Sequence, residues 1–244
     1  DGRQTTAQPT VGRGPVMEFN SKVRERVLAW FKGNSDQPLI EIEARIKDVS
    51  ALGFDTVMKN LMSNKSWSNS PHEEVTVDLL HASGVRETRD QKTGLASFLR
   101  KERHDALLTP CGTSGYEVRF AVASENDVTG DTSEISLWRY KSRRKFVHKH
   151  MFSFDLTKAR QGATQQLAKE ADTQYEIEVE FCGQQLPIAA KDKNQASYLT
   201  DSMLMKVGDL VRQLQAATSS AVAQPPAKRI RTDGPLQAGE RVQL

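Results

Sequence analysis

The feature that most constrains this 244-residue chain is a pair of short stretches in which apolar and acidic residues alternate strictly. On a β-strand, successive side chains leave opposite faces. Read that way, Tyr175, Ile177, Val179 and Phe181 form one row, and Glu176, Glu178 and Glu180 form the other. Far upstream, Ile40, Ile42, Ala44 and Ile46 share one face, and Glu41, Glu43, Arg45 and Lys47 share the opposite one. A solvated acidic face is common and needs no function. Like charges about 5 Å apart nevertheless repel by roughly 3 kcal/mol at an effective dielectric near 20. Two such rows persist where water screens them, or where a cation or basic side chains stand among them.

Between these stretches lies a series of strand-like segments separated by turn residues, at about 73–82, 84–90, 94–104, 116–125, 134–148 and 150–157. Helical spacing of apolar residues marks three further elements. One spans about 17–32 (Phe19, Val23, Val27, Trp30, Phe31) and is expected to pack on the domain. A second spans 51–63, and a third about 195–216 (Leu199, Met203, Val207, Leu210, Val211, Leu214). Residues 1–15 and 218–244 are Gly-, Pro-, Ala- or Ser-rich and are expected to be a disordered leader and tail around one domain at 16–217. The expected fold is mainly β (α+β): an eight-stranded antiparallel sheet closed into a barrel, with helices on the outside. Helices can cover the barrel only if the apolar rows point outward, so the charged rows must line the lumen. Such a lumen is costly unless its charges compensate one another and water or a ligand fills it.

The compensating charges are present. Arg139, Lys141 and Arg143 alternate along one face of the 134–148 segment, with Trp138 and Tyr140 opposite. Arg119 and Glu125 lie on the polar side of the 116–125 segment. Lys101 and Arg103 share a face of 94–104, Arg86 opens another strand, and Asp155 and Thr157 share the polar side of the next. Basic rows with nearby aromatics suit RNA binding, but RNA binding alone leaves the glutamates unexplained, since carboxylates repel phosphate. Acids and bases together suit a hard divalent cation that bridges phosphate oxygens while Arg and Lys take the rest. All-oxygen ligands favour Mg²⁺ or Mn²⁺ over Zn²⁺. His148 and His150 lack a Cys or third His to complete a zinc site, and are expected at the surface or beside phosphate.

Other classes are excluded or disfavoured. There is no apolar run long enough for a membrane span and no signal-peptide pattern. Cys111 and Cys182 make no disulfide framework, which fits a reducing compartment. Neither has Arg six residues on, where Glu117 and Ile188 stand, so both thiols are read as structural. No Gly-rich phosphate loop occurs. The net charge is +3, so it is the segregation of charge rather than its sum that carries information.

Glu41-x-Glu43, Arg139-x-Lys141-x-Arg143, Asp155-x-Thr157 and Glu176-x-Glu178-x-Glu180, in this order, resemble the triphosphate tunnel metalloenzymes. Within that superfamily they resemble the fungal and protozoan mRNA-capping RNA 5′-triphosphatases. The resemblance implies an eight-stranded tunnel that removes the γ-phosphate of triphosphate-ended RNA, the first step of capping. It implies that Glu41, Glu43 and Glu180 hold Mg²⁺ or Mn²⁺, that Glu176 and Glu178 support the metal site and water, and that Glu125 orients the attacking water. It further implies that Arg86, Lys101, Arg119, Arg139, Lys141 and Arg143 bind phosphates, braced by Asp155 and Thr157. Ser153 departs from the family's usual Arg. Arg45 departs from the E-x-E-x-K of the small-substrate branch and favours the RNA branch.

The expected location is the nucleus, with a guanylyltransferase or the transcription machinery as possible associates. Lys228-Arg229-Ile230-Arg231 reads either as an import signal or as a basic patch in the tail. An inorganic tripolyphosphatase or nucleoside triphosphatase of the same superfamily, and a non-catalytic RNA-binding module, are the alternatives.

Overall fold

The computed structural model describes residues 19–34, 37, 39–111, 114–182 and 193–222. The expected leader, the basic tail motif and the turn after Cys182 lie outside these residues. Eight strands form a closed antiparallel barrel. They are β1 (Ile40–Ile46), β2 (Glu73–His81), β3 (Val85–Asp90), β4 (Ala96–Pro110), β5 (Glu117–Asp127), β6 (Ile135–His148), β7 (Phe152–Gly162) and β8 (Gln174–Phe181). Their order around the wall is β1-β5-β4-β3-β2-β6-β7-β8. Four helices accompany them: α1 (Ser21–Asn34), α2 (Ala51–Ser63), α3 (Gln165–Glu170) and α4 (Lys193–Val222).

Period-2 alternation decides which face of each strand is dry. Ile42, Ala44 and Ile46 of β1, Ile177, Val179 and Phe181 of β8, Val118 and Phe120 of β5, and Phe152 and Leu156 of β7 are all buried on the outside of the wall. There they meet the apolar stripes of α1, α2 and α4, so the hydrophobic core surrounds the barrel instead of filling it. Burying each such side chain is worth about 1.5–3 kcal/mol. Phe181 anchors this layer, edge-on to Phe31 of α1 at 5.2 Å and to Phe152 at 5.7 Å between ring centroids. Ser50 caps α2 by accepting from the Gly53 amide. Gly53 is glycine for space: a Cβ there would sit 2.8 Å from Leu214 Cδ2, where α2 crosses α4.

Several elements differ from expectation, β7 among them, which runs on to Gly162. β4 runs on to Pro110, past a register shift between Arg103 and Asp105. That shift breaks the alternation by which the strand was read, and Arg103 ends up exposed. α4 continues to Val222, beyond the expected start of the tail. The six-residue α3, capped by Thr164, was not anticipated, because so short a helix shows no periodicity. No described helix is long and apolar enough to cross a membrane.

Candidate active site

The strand faces turned away from the core converge on a cavity of about 300 Å³ inside the barrel. It is lined by Glu41, Glu43, Lys101, Glu125, Glu178 and Glu180 on one side, and by Arg86, Arg139, Lys141 and Arg143 on the other. The remaining residues expected to act lie in the same layer. Arg119 bonds Glu43, and Glu176 accepts from Arg139 at 2.6 Å. Asp155 and Thr157 each accept from Arg143 at 3.1 Å. Every site residue expected from the sequence is therefore brought into one barrel interior.

Strand register explains how. β1 and β8 are neighbours, with Glu43 directly opposite Glu180 and Arg45 opposite Glu178. β6 and β7 place Arg143 opposite Thr157. Lys101 is brought across β5 and bonds Glu41, with Glu43 and Glu125 both at 3.6 Å. Arg86 pairs with Glu125 at 3.2 Å. Arg45 bonds Glu178 and stands 3.9 Å from Glu176.

Four contributors are not expected from the sequence. Asp78 holds Lys141 at 2.6 Å, and Glu74 and Thr76 line the same wall. Alternation in Glu74-Val75-Thr76-Val77-Asp78-Leu79 could have revealed them. Lys145 continues the Arg139-x-Lys141-x-Arg143 row by one more step. Its ammonium lies 3.8 Å from Asp155 and 3.7 Å from Glu180. Ser153, the position without the family's Arg, is fully buried and faces Glu180 across the β7–β8 pair. Lys145 thus supplies a cation where Ser153 has none.

The electrostatics are uneven. Burial pushes the Glu180 carboxyl up to about 8, and Asp155, Glu41 and Glu178 reinforce this against Lys145. Burial, with Glu178 and Glu41, also raises Glu43. Glu178 behaves oppositely: burial would raise it, but Arg45 and Arg143 together hold it below its usual range. On the basic side, burial lowers Lys141, with Arg143 and Arg86 adding to the effect against Asp78. Burial therefore disfavours the charged forms of Glu43, Glu180 and Lys141, whereas the paired arginines keep Glu178 ionised.

These residues fit a divalent ion in donor type and in charge. The donors are all oxygen, and burial together with neighbouring carboxylates favours protonation at Glu43 and Glu180, a cost that a bound cation would relieve. Among the described residues no cluster of three carboxylates is already gathered for a metal. Instead, the Lys101 ammonium sits among Glu41, Glu43 and Glu125. As many carboxylates as cations line the cavity, so a polyphosphate entering alone would leave an excess of negative charge.

The histidines and cysteines lie apart. His148 stacks edge-on to Trp67 at 6.3 Å, on the outer side of the wall, and His150 is exposed in the β6–β7 turn. Neither is beside the cavity, contrary to the phosphate-adjacent option. Burial pushes both thiols up to about 11, as expected for inert structural cysteines.

Solved structures share this architecture. The S. pombe Pct1 RNA triphosphatase matches with a TM-score of 0.58 at 19% identity, over 88% of this chain and 97% of that one. The RNA triphosphatase domain of a mimivirus mRNA capping enzyme matches with a TM-score of 0.60 at 11% identity, over 82% and 99%. Pct1 in complex with the Spt5 CTD matches with a TM-score of 0.57 at 18% identity, over 86% and 94%. At these identities the likeness speaks for the fold. No curated protein matches the chain. The family model described as mRNA capping enzyme, beta chain, matches residues 53–216. With that match covering most of its length, the chain belongs to the mRNA triphosphatase family, the beta chains of mRNA capping enzymes.

Proposed function

We propose that the chain is a divalent-metal-dependent RNA 5′-triphosphatase that removes the γ-phosphate from triphosphate-ended RNA as the first step of mRNA capping. The observation that carries this reading is the segregated charge of the barrel interior. Glu43 and Glu180, which burial holds towards protonation, share one cavity with the basic row Arg139, Lys141 and Arg143 of β6. A metal–triphosphate supplies a cation to the first and phosphate oxygens to the second.

In this reading Glu41, Glu43 and Glu180 hold Mg²⁺ or Mn²⁺. Bound there, the ion supplies Lewis-acid stabilisation of charge on the β- and γ-phosphate oxygens. The chain's own side chains do the rest. Arg139, Lys141 and Arg143, with Arg86, Lys101 and Arg119, take the remaining phosphate oxygens and fix the chain of phosphates along the lumen. Lys101 leaves Glu41 and Glu43 and turns to phosphate as substrate enters. Glu125, now held by Arg86, orients a water in line with the γ-phosphorus. Glu176 and Glu178 keep Arg139 and Arg45 in place, and Asp155 and Thr157 brace Arg143. No covalent intermediate is involved.

The barrel admits a flexible triphosphate end and excludes a duplex, so recognition rests on the phosphates more than on the bases. Capping acts on nascent transcripts, which places the protein in the nucleus. A guanylyltransferase and the transcription machinery are the expected partners, in keeping with the Pct1–Spt5 CTD complex.

The test is release of labelled phosphate from γ-labelled triphosphate RNA with Mg²⁺ or Mn²⁺. The wild-type chain should release it, and Glu43→Ala should reduce release by a factor on the order of 10³. Undiminished release in the variant would remove the proposed metal site. Faster turnover of tripolyphosphate or ATP than of RNA would make it a tripolyphosphatase or nucleoside triphosphatase. Equal binding of monophosphate and triphosphate RNA without hydrolysis would make it a binding module.

A further inference from the structure

The outer wall of the barrel carries a second basic feature that the interior chemistry does not use. A groove of about 630 Å³ lies over the outward faces of β2, β6 and β7, beside α3. Lys158, Arg160 and Lys169 edge it, with the Tyr140 ring, Gln91 and Thr173, and no carboxylate lines it. The three basic residues are exposed. Lys169 Nζ hovers 6.0 Å from the centroid of the Tyr140 ring, and Arg160 donates to the Lys169 carbonyl at 2.8 Å, tying β7 to α3.

The groove and the tunnel are linked by shared lining residues. Arg45 lines both the interior cavity and a mouth cavity of about 420 Å³, where β1 ends and β8 begins. Thr173 in turn lines both that mouth and the outer groove. A chain whose end is held inside the barrel can therefore leave past Arg45 and Lys47, round Thr173, and lie against Tyr140, Lys158, Arg160 and Lys169. Asp48 and Glu176 also line the mouth, and Asp55 stands 3.5 Å from Lys158. The groove itself nevertheless offers lysine and arginine side chains with an aromatic ring on which a base can stack, which is what single-stranded nucleic acid recognises. An acidic peptide would also meet the charges, but it gains nothing from the ring or from the connection to the interior.

We infer that this outer groove binds the single-stranded body of the RNA whose 5′ end enters the tunnel. The inference rests on the proposed function only for the identity of the substrate. The test is therefore a binding measurement that needs no hydrolysis: fluorescence anisotropy of the full chain with labelled 5′-monophosphate RNA of about 16 nucleotides. Lys158→Glu/Lys169→Glu should weaken binding roughly tenfold and make its log–log salt dependence shallower by about 1.4, about 0.7 per lost phosphate contact. The milder Lys158→Gln/Lys169→Gln, which guards against misfolding, should move both in the same direction. If the chain hydrolyses both substrates, KM should rise for triphosphate RNA while kcat and the parameters for tripolyphosphate stay put. Unchanged RNA affinity and salt slope in both variants would overturn the inference, as would loss of binding to an acidic peptide with RNA binding intact. A wild-type chain that releases no phosphate would refute the proposed function and leave this result readable.

Discussion

Glu180 and Phe181 are neighbours in sequence and opposites in role. Phe181 faces outward into a dry layer of aromatic rings and helix stripes. Glu180 faces inward, among Asp155, Glu41 and Glu178, with Lys145 as its nearby cation. The outside of the wall holds the fold together, and the inside strains against it. A buried ion network is weak support for stability and costly where its charges do not match. Strands that spend one whole face this way are explained by what the interior must bind.

The widest separation of the two faces comes from substituting these neighbours in turn. Glu180→Gln keeps the shape but removes the charge, and should slow phosphate release by a factor on the order of 10²–10³. Its melting temperature at pH 8 should hold or rise. Phe181→Ala should do the reverse, lowering stability by about 3–5 kcal/mol in denaturant melts, with kcat retained well below the melting point. If Glu180→Gln unfolded the protein, or Phe181→Ala cut kcat in the folded state, the division of labour between the faces would be wrong.

A smaller effect sharpens the same contrast through pH. The folded chain holds the Glu180 proton up to about 8, whereas the ordinary value is 4.5. Between those values the folded state binds more protons than the unfolded one, so stability of the metal-free protein falls as pH rises through that window. Mg²⁺ or Mn²⁺ should raise the melting temperature more at pH 8 than at pH 6, because at pH 8 less proton must be displaced. Equal metal shifts at the two pH values would contradict the assignment of Glu180.

The smallest effect belongs to the outer surface. Asp105 accepts from Arg26 and from the Trp30 indole, and these bonds, led by Arg26, hold its carboxyl down to about 2. Its contribution is present above the ordinary carboxylate range and lost as pH falls towards 2. Asp105→Asn should cost less than about 1 kcal/mol in a denaturant melt at pH 7, with no change in activity.

Much of this was legible because a closed barrel uses both faces of every strand. Alternating Ile and Glu in β1 and β8 announced a dry side and a charged side, and three amphipathic helices required the dry side to be outside. The motif rows then gave most of the interior. What stayed hidden depends on contacts distant in sequence. That Lys101 meets Glu41 follows from the β1–β5 and β5–β4 registers, which no local pattern encodes. The register shift after Arg103 concealed the end of β4, and the brevity of α3 left no period to read. Lys145 lies one alternation step past Arg143, and Asp78 lies on β2, whose single acid at that position does not stand out from an ordinary solvated face.

The most direct test of the central claim is anomalous diffraction from crystals of the chain grown with Mn²⁺ and tripolyphosphate. The account predicts a manganese peak ligated by Glu41, Glu43 and Glu180, with the phosphates reaching Arg139, Lys141 and Arg143 inside the barrel. Manganese remote from those glutamates, or phosphates lying only on the outer wall, would contradict it.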